Sequence, residues 1–556
     1  MRAFAELLDR LSFTASRNAK LVLVRDYLRA APDPDRGWAL ASLTGALSFD
    51  AAKPAFIRRA VEARMDPVLF AWSYDYVGDL AETVALVWPG GVWPAVPGAN
   101  RQPQLSEVVD ALSSASRTEV QRLIETWLDA LDATGRWALL KLLTGGLRVG
   151  VSARLAKQAA ADMGGVAVSE VEEVWHGLNP PYDDLFAWLE GRAERPSADA
   201  HGRFRPVMLA QAVDEAVDFA RLDPGDYAAE WKWDGVRIQA VAEGGVRRLY
   251  SRTGDDISAA FPDVVEALTF EGAIDGELLV MTQGRAAPFG DLQQRLNRKS
   301  VDAKLLAAYP AGIRAYDLLA EAGEDLRPLP FSERRRRLEG LVAALASPRI
   351  DLSPLQPFDD WAQLGALRAA PPPGEPRAAE GLMLKHWTSI YEAGRPKGPW
   401  FKWKRDPMLV DAVLMYAQRG HGKRSSFYSD FTFGVWKDGA LTPVGKSYFG
   451  FTDAELKDLD RFVRDHTTER FGPVRAVRAD RDFGLVLEIA FEGLQRSTRH
   501  KSGVAMRFPR ISRIRWDKPA READELASLE RLLDGMEARG GTDDLGLGHS
   551  GFDGLE

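Results

Sequence analysis

The apolar residues of this chain change their spacing once, across the polar segment Glu194 to Arg205 (ERPSADAHGRFR). Before it they recur at helical intervals. Leu123, Trp127 and Leu131 stand at i, i+4, i+8 behind Ser116-Arg-Thr-Glu119, a capping-box pattern at the start of a helix. Interruptions there are short turns, such as Ala31-Pro-Asp-Pro34 and the Pro/Gly-rich stretch from Trp88 to Pro97. After the segment, Tyr227 to Trp233, Val236 to Ala242, Val246 to Arg252, Ala273 to Met281 and Gly312 to Leu318 read as strands. A helix from Ser332 to Ala346 lies among them, and the loop Ala370 to Pro376 leads into a further strand, Gly381 to Lys385. The two halves cannot share one layer architecture, so an all-α N-terminal domain over 1–195 and an α+β domain over 205–405 are expected.

From Asp411 the pattern is strand-rich again. Phe431 to Trp436 runs into a Lys437-Asp-Gly439 turn, a helix covers Asp453 to Asp465, and Leu485 to Phe491 is another strand. Short strands around one helix suit a small Greek-key barrel such as an OB-fold, placed here over 406–520. Residues 521–537 read as a terminal helix, and Gly540 to Glu556 is Gly/Asp-rich with few apolar residues, the composition of a disordered tail. Three domains agree with a length of 556 residues.

Composition narrows the class. The chain is 46% hydrophobic and 27% charged, an ordinary globular balance. It has no apolar run of membrane-spanning length, and MRAFAELLDRLSF lacks a signal-peptide core. Zero cysteines exclude disulfides and cysteine-held zinc or iron–sulfur sites, so a cytoplasmic protein is expected. A net charge of −8 argues weakly against a nucleic-acid partner, but phosphate binding depends on where cations cluster, and local basic stretches are present.

The stretch with the most chemical content is Glu230-Trp-Lys-Trp-Asp-Gly-Val-Arg237. One reading is a β-hairpin turning at Asp234-Gly235 with a solvated lysine. The other makes Lys232 a nucleophile, since a lysine amine attacks phosphorus once burial or neighbouring cations free its lone pair. Further along come Ser251-Arg-Thr-Gly254, Asp275-Gly-Glu277, Tyr316-Asp317, Glu380-Gly-Leu-Met-Leu-Lys385, Trp400-Phe-Lys-Trp-Lys404 and a basic run from Arg507 to Lys518. Each alone fits a turn or a solvated strand face. In the helical half, Gly145-Gly146 and Arg148 precede a helix start at Ser152, either a glycine-capped hairpin or a seat for a phosphate.

In this order, the motifs resemble those of the ATP-dependent DNA ligases, within the covalent nucleotidyltransferase superfamily, and the resemblance spans nearly the whole chain. It implies an ATP-grasp-like nucleotidyltransferase domain between a helical DNA-binding domain and the OB-fold. It also implies sealing of nicks in duplex DNA with ATP and Mg²⁺, through AMP carried on Lys232 and then on the DNA end. Lys402 and Lys404, alternating on one strand, would hold the α-phosphate and repel the proton of Lys232. By the same resemblance, Glu230 reads the adenine edge, Arg237 and Arg252 contact ribose and phosphates, and Tyr316 stacks on the base. Glu277 holds the ribose or a metal, and Glu380 binds Mg²⁺. Arg510 and Lys518 belong to a basic element that swings over the site during self-adenylation, while the basic loop Gly420 to Ser426 would touch duplex backbone.

One departure concerns the arginine that the family commonly has six residues before the Lys-x-Lys pair. Pro396 stands there, flanked by Arg395 and Lys397, and either can supply the contact. An RNA ligase or capping-type nucleotidyltransferase, and a non-catalytic DNA-binding homologue, are the competing readings. A monomer acting on nicked DNA, in an accessory repair role, is the expectation.

Overall fold

The computed structural model describes all residues except 48, 50–53, 78, 90–100, 198–200, 283, 297, 299, 371–377, 420–426, 473 and 539–556. The expected basic loop at 420–426, the Gly/Asp-rich tail and most of two Pro-rich loops therefore lie outside the described residues. The chain packs into two compact units. One comprises Met1–Asp199, Leu409–Ala490 and Phe508–Asp524; the other comprises Ala200–Met408, Phe491–Arg507 and Glu525–Glu556. Among the described residues, no helix is long and apolar enough to cross a membrane.

In the first unit, residues 1–197 form helices and, among the described residues, no strand. The helix Ala133–Thr144 is buried almost all round, through Ala138, Leu139, Leu140, Leu142 and Leu143, and the helices Arg2–Phe13 and Leu80–Val87 pack on it. Its Lys141 is buried too, and reaches Asp79 at 2.6 Å. Asp79 also caps the Leu80–Val87 helix by accepting from the Glu82 N–H, so one carboxylate satisfies a helix end and a buried cation. Ser116 accepts from the Glu119 N–H as its motif predicts.

The β-rich part of this unit is one seven-stranded sheet. Its strand Met408–Arg419 pairs with Tyr428–Lys437, with Val474–Val477 and with Val486–Phe491, which in turn pairs with Arg510–Arg515. The helix Asp453–Asp465, opened by a Thr452/Glu455 capping box, is inserted between the strands Ala440–Ser447 and Thr467–Phe471. This is an OB-like arrangement.

The second unit is built on two sheets. The first runs in the order Gln211–Ala212, Trp400–Lys404, Ala379–His386, Tyr227–Trp233, Leu355–Gln356. The second has the path Val246–Ser251, Val236–Glu243, Gly272–Thr282, Ala311–Glu321, Glu324–Asp325, with Ile350–Leu352 parallel to Ala311–Glu321. Asp234-Gly235 is therefore not a hairpin turn. The strands on its two sides leave for different sheets, which the alternation within each strand could not disclose. Gly235 makes the crossing possible, because a Cβ there would stand 2.3 Å from the carbonyl oxygen of Leu278.

Three apolar clusters hold these sheets. Ile238, Ile274, Leu278 and Leu318 pack beneath Leu338 of the helix Phe331–Leu345. Trp231, Trp233, Leu382, Leu384, Phe401 and Trp403 cover the outer face of the first sheet. Met208, Val241, Ala273, Leu319, Tyr391 and Trp400 tie the two inner faces together. Asp317 and Arg334 form a fully buried ion pair (2.8 and 3.0 Å), and Arg334 also donates to the carbonyls of Leu329 and Ser389. Asp317→Ala leaves that guanidinium uncompensated and should cost about 3–5 kcal/mol, readable as a shifted urea midpoint.

Candidate active site

The pleat sorts the motif residues. Ala229, Trp231 and Trp233 point to the outer cluster, so Glu230 and Lys232 point inward. Phe401 and Trp403 likewise face outward, leaving Lys402 and Lys404 on the inner face. Met383 lies opposite Glu230 on one side and Lys402 on the other, so these strands stand in one register.

Glu380 reaches this face through an irregularity. Ala379 pairs with Trp233 but Leu382 with Trp231, so one extra residue is inserted and the alternation slips. The extra residue is Gly381, at φ +149°, where a Cβ would meet the carbonyl oxygen of Trp403 at 2.3 Å. With Ala379 and Leu382 both in the outer cluster, Glu380 turns inward. It forms an ion pair with Lys232 and another, at 3.2 Å, with Lys404. Burial raises the Glu380 carboxyl, but Lys232 and Lys404 outweigh it and hold the group below the usual carboxylate range. The charge nearest Lys232 is thus a carboxylate.

Lys402 is lowered by burial first and then by the surrounding cations Arg395, Lys404, Lys232 and Arg252. The two arginines, both exposed, are therefore brought to the lysine cluster. Arg395 exerts this influence where Pro396 fills the family's arginine position. Its loop is fixed to the segment before the first strand by hydrogen bonds from Leu209 N–H to the Gly394 carbonyl and from Gly394 N–H to the Val207 carbonyl. Lys404 is also held by Glu492 at 3.0 Å, and its carboxylate partners raise it against the effect of burial.

The second sheet contributes the opposite wall. Glu277 is paired in register with Arg237 and accepts from the Gly235 N–H at 3.2 Å. Burial pushes its carboxyl up to about 8 despite Lys232 and Arg237 nearby. Arg237 spends its donors on Asp275 (3.0 and 2.6 Å), the Met208 carbonyl (2.7 Å) and the Tyr391 hydroxyl (3.1 Å). Tyr316 occupies a second bulge, since Asp275 pairs with Asp317 but Gly276 with Ala315. Burial drives its phenol well above the usual range.

Glu230 is buried against Lys385, with Arg335 4.0 Å from its other oxygen. Lys385 ended a motif in the sequence without a role, and nothing in the alternation singled it out. The hairpin of Gly493–Arg496 and Val504–Arg507 was also missed. Arg507 forms an ion pair with Asp234 and lies 4.7 Å over the Phe289 ring. The basic run is divided: Arg507 belongs to the second unit with Lys232, Lys402 and Lys404, whereas Arg510 and Lys518 belong to the first unit, where Lys518 binds Asp411 at 2.6 Å.

Among the described residues no cluster of three or more His, Asp or Glu forms a metal cage. Glu277 and Glu380 nevertheless suit Mg²⁺, which takes one or two carboxylates and completes its shell with water and phosphate oxygens. A buried carboxyl pushed up to about 8 is a group that a divalent cation would ionise.

The helical region adds a second feature, legible in the sequence but overlooked. Leu40-x-x-Leu43-Thr-Gly45-x-Leu47 recurs, a hundred positions later, as Leu140-x-x-Leu143-Thr-Gly145-x-Leu147. Both glycines cap their helices in the left-handed conformation. The two turns line one cavity of about 400 Å³ with Thr44, Thr144, Arg148, Val149 and Ala153 among its walls. Lys20 steadies the second turn by donating to the Val149 carbonyl at 2.6 Å. Ser152 caps the next helix, Ala153–Gly164.

Residues 207–404 match the family model described as "ATP dependent DNA ligase domain", and residues 424–518 match "ATP dependent DNA ligase C terminal region". A "Probable DNA ligase" of Koribacter versatilis (strain Ellin345) is 31% identical over 96% of this chain and 96% of its own length. A "Probable DNA ligase" of Anaeromyxobacter sp. (strain Fw109-5) is 33% identical over 94% of this chain and 96% of its own. The solved structure titled "Pmar-Lig_Pre." shares the fold, with a TM-score of 0.57 at 15% identity over 93% of this chain and 99% of that one.

Proposed function

The chain belongs to the ATP-dependent DNA ligase family, and we propose from this that it seals 5′-phosphate/3′-hydroxyl nicks in duplex DNA with Lys232 as the carrier of AMP. The observation that carries the reading is the inward face where Lys232 meets Glu380, with Lys402 and Lys404 on the neighbouring strand and Glu277 on the opposite wall. Lys232 attacks the α-phosphorus of ATP as a neutral amine; the N–P bond forms and the bond to pyrophosphate breaks. The Lys232 side chain is 23% exposed, so its proton leaves to water before the attack, and Glu380, in contact with the amine, orients it. Lys402 and Lys404 neutralise the α-phosphate, assisted by Arg395 and Arg252. Glu277 and Glu380 would hold Mg²⁺, which when bound spreads the charge developing on the phosphates. AMP then passes to the 5′-phosphate of the nick, and the 3′-hydroxyl displaces it.

The paired Thr-Gly turns and Arg148 support phosphate contacts by the helical region. Binding through backbone is sequence-tolerant and falls with salt. Nick sealing with ATP, GTP and NAD⁺ in parallel, beside labelling by α-labelled ATP and GTP, tests the assignment. Sealing and covalent label are expected from ATP alone, and exclusive guanylylation would overturn the reading. Arg510→Ala and Lys518→Ala should each slow self-adenylation about tenfold or more while slowing the sealing of pre-adenylated nicks far less. Equal losses in both assays would remove the lid role from this element.

A further inference from the structure

Lys385 is a buried ammonium in a cage of rings. Its Nζ lies 4.5 Å from the centre of Tyr316, 4.7 Å from Trp400 and 5.0 Å from Phe331. It donates to the backbone carbonyl of Tyr316 at 3.4 Å and pairs with the carboxylate of Glu230. Both side chains of the pair are nearly sealed from solvent, at 2% and 3% exposure. Taking a cation out of water costs several kcal/mol, so an ammonium is an expensive way to fill an apolar cage that methionine would fill as well.

Glu230, for its part, accepts no hydrogen bond of normal geometry at either oxygen, although both are buried. Buried acceptors are nearly always satisfied, so this one has capacity in reserve for a ligand donor. Arg335 gives Nε to Glu339 and Nη2 to the Ser353 carbonyl, while its buried Nη1 stops 4.0 Å from the second Glu230 oxygen, beyond hydrogen-bond reach, and has no hydrogen-bond partner of its own among the described residues. Lys385 therefore touches Tyr316 and Glu230 at once, two groups to which the family resemblance gives the base.

We propose that Lys385 is a positioning residue for nucleobase selection: it pins the Glu230 carboxylate beside Tyr316 so that the remaining acceptor capacity meets the 6-amino group of adenine. The inference rests on the reading of Glu230 as a base contact. A purine without that amino group leaves the buried carboxylate unpaired, and a purine with a 6-oxo group sets acceptor against acceptor.

The test is the preference for ATP over purine riboside triphosphate, which lacks only the 6-amino group. It is measured as kcat/KM for covalent nucleotidylation, with the adduct identified by intact mass. The full-length protein should prefer ATP by about 100-fold or more. Glu230→Gln and Lys385→Met should each reduce the preference to within about tenfold, mainly by raising KM for ATP, and the double variant should lose little more. Lys385→Gln is measured alongside, as a variant that keeps a donor should the methionine protein fail to fold. If the folded Lys385 variants lose rate equally with both nucleotides and keep the wild-type preference, the residue is merely structural and the proposal fails. If Glu230→Gln itself keeps the preference, the underlying reading of Glu230 is what fails.

Discussion

Replacing Lys232 with alanine should leave a folded protein that binds nicked duplex but forms no covalent adduct with AMP, a loss of at least about 10⁴-fold in self-adenylation. Among the described residues no neighbouring amine is placed to take over. Lys404 is tied to Glu380 and Glu492, and Lys402 stands two strands from Lys232, across the strand Ala379–His386. Lys232→Arg should be as inactive as the alanine variant, because a guanidinium cannot shed its proton to become a nucleophile. The fold should tolerate either change. Glu380 keeps Lys404 as a partner, so no carboxylate is stranded. Labelling with α-labelled ATP and a filter-binding titration with nicked duplex read the two halves of this expectation. A labelled alanine variant would move the nucleophile elsewhere in the chain.

Much of the site could be read from residue order, and the misses share a cause. Element limits came close to those observed, as at the strand Tyr227–Trp233 and the helix Asp453–Asp465, because each follows from a local period. Lys402 and Lys404 were placed on one face by alternation alone. What alternation cannot carry is register between distant strands. The divergence of two strands at Asp234-Gly235 depends on which partners lie 40 to 150 residues away, not on the turn itself. The bulges at Gly381 and Tyr316 are single-residue slips that look, in sequence, like ordinary strand. Lys385 looked like one more solvated lysine, and only the fold brings Glu230 and three aromatic rings around it. The expected repulsion among lysines was likewise incomplete, since Glu380 lies between Lys232 and Lys404.

Glu380 and Gly381 should fail together. Glu380→Ala removes the carboxylate shared by Lys232 and Lys404 and should lower self-adenylation on the order of 10²–10³-fold. Gly381→Ala touches no reacting group, yet a comparable loss is expected. At φ +149° an added Cβ would stand 2.3 Å from the Trp403 carbonyl oxygen and 2.7 Å from the Lys404 Cα, which are backbone atoms that cannot swing aside. Either the bulge is lost, turning Glu380 toward the outer tryptophans, or the strand Trp400–Lys404 is pushed off, taking Lys402 and Lys404 with it. Both routes dismantle the same face, and the thermal midpoint should fall by several degrees as well. Gly535→Ala is the matched control. Gly535 lies in the helix Leu526–Ala538 with open space where a Cβ would go, so alanine there should raise stability by about 0.5–1 kcal/mol and leave adenylation unchanged. Near-normal adenylation by Gly381→Ala would show that Glu380 reaches Lys232 without the bulge, and would detach the slip in register from catalysis.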